Sequence, residues 1–304
     1  MFRRTRALRD PVTFTLDDDV VTAERGEPIA VALLASGHAT LARSPKLHRP
    51  RGPSCLRGGC DGCLARVDDV PNVMTCLLRA KGGERVTTQN VIGTRKSDFL
   101  RVTDWFFPQG IDHHHLLVGV PGLSEAMQGF ARKLAGLGRL PVAIERERAA
   151  ERHDVDVLVI GGGLAGASVA SALADAGREV WLVDDGPSAD GSIAALATLG
   201  PIAESATRGL HSDRARVLAG ATALGLYLGE ALLAWNEAAL VVKPRALVVA
   251  TGAHDGALAA PGNDLPGVMS ARAVSHLLAR GVAPKGVVAL CGASFWADKI
   301  VEKL

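Results

Sequence analysis

The stretch RGPSCLRGGCDGC, residues 51–63, decides how this chain is read. It sets Cys55, Cys60 and Cys63 apart by four and then two residues, and twelve more residues lead to Cys76. Four thiols so close together in a chain without secretory features point to metal or redox chemistry before disulfides. A 2Fe–2S rhomb needs two thiolates on each iron, and the four-then-two spacing is the opening of a plant-type ferredoxin loop. Gly58, Gly59 and Gly62 let the backbone wrap closely and take positive φ without a Cβ clash. Backbone N–H groups freed in such a loop can point at the sulfurs and stabilise a negative cluster. Arg51 and Arg57 add positive charge that favours the reduced form. Zinc is the rival ligand, since four cysteines also suit a tetrahedral site. A zinc ribbon, however, shows two CxxC pairs, and only Cys60–Cys63 is one here.

The flanks of this loop agree with a ferredoxin. VTFTL (12–16) and VVTA (20–23) read as a hairpin around Asp17-Asp18-Asp19. The aspartates lack the glycine and distal glutamate of a calcium loop and read as a turn. In ERGEPIAVALLASG, Pro28 suits a first helical turn and Gly37 a helix end. After the cysteines, CLARV and ERVTTQ read as further strands. Hairpin, helix, cysteine loop and strand follow the order of a β-grasp domain.

From Val155 the texture changes. DVLVI is a continuous apolar run of the kind buried on both faces of a parallel sheet. It enters GGGLAGASVASALADAG, in which Gly161, Gly163 and Gly166 fit the dinucleotide fingerprint between a strand and a helix. The first glycine makes the turn, the second admits a pyrophosphate and the third lets helix approach strand. The anion would sit at the helix N-terminus, where N–H groups are free. EVWLVDD is a second strand ending at Asp184, 23 positions after Gly161, where a carboxylate meets a ribose; Asp185 is the neighbouring candidate. GEALLAW and AALVV suggest a hairpin about Asn236-Glu237. ALVVATG (246–252) reads as a third buried strand, whose Thr251-Gly252 turn brings backbone close to a nucleotide. These residues favour FAD and leave NAD open. GVVAL, inside GVVALCGASFWADKIVEKL (286–304), reads as the strand of another strand–turn–helix unit.

The expected fold is therefore α/β together with α+β. Residues 1–100 form a β-grasp 2Fe–2S domain and 101–153 a connector. Residues 154–282 form a doubly wound, Rossmann-like FAD/NAD domain, and 283–304 begin an incomplete second nucleotide-binding unit. A length of 304 residues accommodates two cores. A net charge of +2 gives no field to gather nucleic acid or an anionic membrane. No apolar run reaches the roughly 18 residues of a membrane span, and the basic N-terminus is not followed by a signal-peptide core. The expected compartment is the cytoplasm.

These stretches resemble the α subunits of heteromeric sarcosine oxidases and their relatives, which include hydrogen cyanide synthase, opine oxidase, and proline and hydroxyproline dehydrogenases. The cysteine stretch resembles the ferredoxin-like module of that group. VTDWFFPQG and ARKLAGLG resemble its connector, and DVLVIGGGLAGASVASALADAG, ALVVATGAH and APGNDLPGVMSA its nucleotide-binding part. CGASFWA stands where a second glycine fingerprint would be, with Phe295 and Trp296 in it. The resemblance implies an oxidoreductase component of a multisubunit amine or amino-acid dehydrogenase or oxidase. A partner flavoprotein subunit would hold the substrate, and this chain would relay electrons between a flavin and the cluster. Two alternatives are a non-catalytic nucleotide-binding subunit and an NAD(P)H-dependent ferredoxin reductase.

Three weaker signals are read conservatively. The rings of His113, His114 and His115 diverge and suit solvent or connector packing better than one metal. Cys291 reads as a small buried residue at the end of GVVAL. Trp105, Phe106 and Phe107 read as an anchor between domains.

Overall fold

A computed structural model describes residues 1–44, 49–91, 93–95, 97–102, 105, 122–134, 149–186, 201–236, 238–256 and 258–304. Phe106, Phe107, the His113–His115 run and most of the loop after Asp185 lie outside these residues; Trp105 is exposed. The chain groups into two compact units. One comprises Met1–Val142, Gly256–Ala273 and Val282–Cys291, and the other Ala143–Asp255, Val274–Gly281 and Gly292–Leu304. Both units are discontinuous in sequence, which ranges read along the chain do not express.

The first unit opens with β1 (Phe2–Arg4), β2 (Pro11–Leu16) and β3 (Asp19–Glu24). β2 and β3 pair antiparallel as the expected hairpin. Asp17 takes the turn with φ 52, a conformation that Asp and Asn tolerate because their short polar chains bond locally. Its carboxylate accepts from the Thr88 N–H and the Thr88 hydroxyl, each at 2.8 Å, and so ties the hairpin to the strand that follows the cysteines. Helix α1 (Ile29–Ala35) is apolar all round and buries Ile29 to Leu34, as a central core helix must. Pro28 is its N-cap and offers no side-chain acceptor, but Leu78 O takes the Ile29 N–H and Thr75 O the Ala30 N–H. Gly37, at φ +89, closes the helix.

β4 (Ala42–Arg43) and β5 (Pro50–Arg51) form a small antiparallel ladder before the cysteine loop. After it come β6 (Leu64–Val67), β7 (Val70–Met74) and β8 (Arg85–Thr87). The main sheet has the order β3-β2-β8-β6-β7, with β2 and β8 parallel and the other pairs antiparallel. This is the expected β-grasp sheet, with β7 added. β7 contains Pro71 and tolerates it because it lies at the sheet edge. Helix α2 (Leu123–Leu134) follows.

The second unit is built on a six-stranded sheet of order β11-β10-β9-β14-β13-β12. Its strands are β9 (Glu151–Ile160), β10 (Val180–Asp184), β11 (Ala215–Ala219), β12 (Thr222–Tyr227), β13 (Glu230–Trp235) and β14 (Ala238–Val249). β11, β10, β9 and β14 run parallel, and β12 and β13 add an antiparallel hairpin edge. Helix α3 (Leu164–Asp175) crosses from β9 to β10 and covers one sheet face, packing Ala170 and Ala174 on Val157, Val159, Val180 and Leu182. The other face buries Leu158, Trp181, Leu218, Leu233 and Leu240. Helix α4 (Pro201–Thr207) also lies in this unit, and α5 (Ala271–Ala279) and α6 (Phe295–Lys303) follow β14. No helix among the described residues is long and apolar enough to cross a membrane.

Four sequence expectations are corrected. AALVV and ALVVATG belong to one strand, β14, rather than to a hairpin strand and a separate buried one. Pro244 stands in it beyond the reach of β13, which pairs only as far as Val242, and is paired with Val155 of β9 on the other side. Past that point only β9 flanks β14 among the described residues, and Val249 is 66% exposed instead of buried. GVVAL forms no strand, Val287 is fully exposed, and Cys291 after it is exposed rather than buried. An apolar run becomes a strand only beside a neighbour that completes its hydrogen bonds. The strand in this region is instead the short Val282–Pro284, antiparallel to β1.

The Asp17 staple gives a direct test. Asp17→Ala removes both bonds to Thr88 and should cost about 1–2 kcal/mol in denaturant unfolding. Asp17→Asn keeps an acceptor and the left-handed tolerance and should cost less than half of that.

Candidate cluster and dinucleotide sites

The four cysteines converge at one end of the β-grasp unit. Cys55 and Cys60 are half-buried in the loop, and Cys63 and Cys76 are buried. Backbone contacts force this. Leu56 takes φ 52 and Gly58 φ +73, which turns the loop so that the N–H groups of Arg57 (3.4 Å) and Gly59 (3.2 Å) point at Cys55 Sγ. Gly62 has no room for a side chain, since a Cβ there would lie 2.0 Å from Gly52 O. Thr75 ties Cys76 to Cys63: its hydroxyl (2.8 Å) and its N–H (3.3 Å) both donate to Cys63 O. Thr75 is fully buried, and its own carbonyl takes the Ala30 N–H from α1.

The thiols lie in two pairs. The neighbouring Cys55 thiol above all holds Cys60 down at about 4 against the effect of burial, and the polar groups of Ser54 and Gly62 act in the same direction. Cys55 is pushed up by its Cys60 neighbour and by burial. Cys63 is lowered chiefly by its Cys76 neighbour, and Cys76 is raised by Cys63 and by burial. Among the described residues no three His, Cys, Asp or Glu side chains form a group fit for one metal ion. Two cysteine pairs, one with N–H donors aimed at Cys55, match the two-per-iron demand of a 2Fe–2S rhomb. Of the loop arginines, Arg51 is paired with Asp61 at 2.5 Å, so part of its charge is neutralised locally.

The second site forms where β9, β10 and β14 end side by side. Gly161 (φ +106) makes the turn, and a Cβ on it would lie 2.3 Å from Ala250 O. A Cβ on Gly166 would lie 1.8 Å from Gly161 O, so helix and strand touch backbone to backbone. Gly163 differs. It is the N-cap of α3, gives the first-turn N–H groups no side-chain acceptor, and a Cβ there would meet nothing within 4 Å. An open helix N-terminus with free N–H groups suits a pyrophosphate. Thr251 and Gly252 follow β14 on the same rim, and Gly252 (φ +70) also faces open space. Asp184 lies at the end of β10, as expected, and its carboxylate accepts from the Gly162 N–H at 2.6 Å and the Gly186 N–H at 2.9 Å. It therefore braces the glycine turn, a role that a spacing argument alone does not reveal.

Known proteins carry the same two parts. Residues 9–91 match the 2Fe-2S iron-sulfur cluster binding domain family, and residues 155–297 match the pyridine nucleotide-disulphide oxidoreductase family. Over 90% of its length the chain is 30% identical to sarcosine oxidase subunit alpha of Rhizobium meliloti (strain 1021). The chain is similar to the sarcosine oxidase α subunit over that stretch. It spans 31% of the length of that protein. L-proline dehydrogenase from P. horikoshii has the same fold, with a TM-score of 0.68 at 20% identity, over 99% of this chain and 53% of the dehydrogenase chain. The chain is thus assembled from oxidoreductase domains, in the order its motifs imply.

The glycines of the second site separate folding from binding. Gly166→Ala should destabilise the second unit, by several kcal/mol of steric strain, and abolish nucleotide binding. Gly163→Ala meets no atom of the protein and has φ −70, which alanine adopts freely. It should leave the melting temperature within about 2 °C, consistent with a surface change under 0.5 kcal/mol, yet weaken nucleotide binding at least tenfold. Calorimetry and flavin titration of the two variants check this.

Proposed function

We propose that this chain is the electron-transferring part of a heteromeric FAD-dependent amine or amino-acid dehydrogenase or oxidase. Cys55, Cys60, Cys63 and Cys76 hold a 2Fe–2S cluster. Gly161, Gly163, Gly166, Asp184, Thr251 and Gly252 cradle a dinucleotide, FAD rather than NAD. The observation that carries the reading is the gathering of the four cysteines, with the Arg57 and Gly59 N–H groups aimed at Cys55 Sγ and Thr75 tying Cys76 to Cys63. A protein that only binds nucleotide has no need of such a site.

When bound, the flavin supplies two-electron chemistry and the cluster one-electron chemistry. The chain's own residues set the conditions. N–H donors to Cys55 stabilise negative charge on its sulfur. The open N-terminus of α3 takes the pyrophosphate, and Asp184 keeps the Gly162 N–H in place for the turn. The kinship to a sarcosine oxidase subunit supports a donor with a C–N bond held on a partner flavoprotein subunit, in the cytoplasm.

The test is turnover. Assayed alone with sarcosine, proline, hydroxyproline, glycine or opines and a dye acceptor, the chain should show no activity. Co-expressed with its flavin oxidoreductase partner it should show activity. Cys60→Ser should then lower that activity by at least 10–100-fold, the range for disrupting a metal site, while Cys291→Ser leaves it unchanged. An isolated chain that turns over any of these donors would overturn the subunit reading.

A further inference from the structure

A segment from far along the chain backs the cysteine loop. The Ser270 N–H donates to Ser54 O at 2.9 Å. Ser54 immediately precedes Cys55, whose Sγ accepts the Arg57 and Gly59 N–H groups. Four residues before Ser270, Pro266 lies against Gly52: a Cβ on Gly52 would sit 3.2 Å from Pro266 Cα and Cβ. Gly52 O in turn touches Gly62, the residue before Cys63. Pro266 thus packs its Cα and Cβ on Gly52, and Gly52 meets Gly62, with no side chain on either glycine to absorb a shift.

Ser270 is held from its other side as well. Its hydroxyl oxygen accepts the Ala273 N–H at 3.1 Å and caps α5. The segment is fixed beyond its start too, because Lys285 N–H donates to Met1 O and Val282–Pro284 pairs with β1. All of these residues belong to the β-grasp unit, and the segment lies outside residues 9–91, the span of the cluster-binding family match.

We infer that residues 266–270 form a strap that fixes the backbone entering the cysteine loop, and that Pro266 and Ser270 are positioning residues for the cluster. This rests on the assignment of a 2Fe–2S site to the four cysteines. The strap acts through Ser54 and Gly52 on the loop whose Arg57 and Gly59 N–H groups face Cys55 Sγ. Loosening it lengthens those hydrogen bonds, and weaker bonds to a cluster sulfur lower the reduction potential and open the metal to chelators.

Three variants of the anaerobically purified chain test the strap. Ser270→Ala removes the α5 cap but keeps the N–H to Ser54, and should match the parent in iron content, electron paramagnetic resonance spectrum and midpoint potential. Ser270→Pro removes the N–H as well. It should lose iron to a chelator about tenfold faster, the low end for a lost outer-sphere partner, with shifted g values and a lower potential. Pro266→Gly removes the Cβ that lies against Gly52 and the ring that fixes φ, leaves every backbone bond in place, and should move the same readings in the same direction by a smaller amount. If Ser270→Pro does not fold, Pro266→Gly carries the test alone. Parent-like iron loss, spectrum and potential in the folded strap variants would overturn the strap while leaving the cluster assignment standing. A parent chain that binds no iron would overturn the assignment and the strap with it.

Discussion

One carbonyl organises the cysteine end of this molecule. Cys63 O receives both the hydroxyl and the N–H of Thr75, and Thr75 O receives the Ala30 N–H at the start of α1. Cys76 is the next residue, so its placement beside Cys63 follows from those bonds. The same contacts satisfy a helix terminus that Pro28 cannot cap. Helix, strand β6 and the fourth cysteine are therefore locked by groups that are fully buried, where an unmade hydrogen bond costs about 1–3 kcal/mol.

Both candidate sites rely on close approach of backbone to backbone. In the β-grasp unit, Gly62 admits Gly52 O and Gly52 admits Pro266. In the sheet unit, Gly166 admits Gly161 O and Gly161 admits Ala250 O. In each place the removed side chain lets N–H groups converge on a negatively charged group. One set serves thiolates and the other suits a pyrophosphate. The two sites thus share a single device: main-chain donors are aimed, and the loop is stiffened from outside by Thr75 and the 266–270 strap in one case and by Asp184 in the other.

The parts legible in the sequence are those with short-range rules. The cysteine spacing, the glycine fingerprint, the Asp17 turn and the Gly37 helix end each depend on a few adjacent residues. β7 is harder to read, because Pro71 and the left-handed Asn72 (φ 59) interrupt the alternation that marks a strand. Thr75 reads as an ordinary β-branched residue until its partner, twelve positions back, is known. The bracing by Asp184 is hidden for a similar reason, since the same carboxylate at the same position suits a ribose equally well. GVVAL shows the converse limit. Its apolar composition promises a strand, but pairing depends on a neighbour that composition does not specify. The strap is least legible of all, joining residue 54 to residue 270 through main-chain atoms that carry no residue-specific signal.

The central claim is that the four thiols hold a 2Fe–2S cluster. Metal and sulfide analysis of the chain purified anaerobically, with electron paramagnetic resonance before and after reduction, tests it most directly. The account predicts about two irons and two sulfides per chain and a spin-half signal that appears on reduction, as that cluster type requires. Stoichiometric zinc with no iron or sulfide, and no signal on reduction, would contradict it.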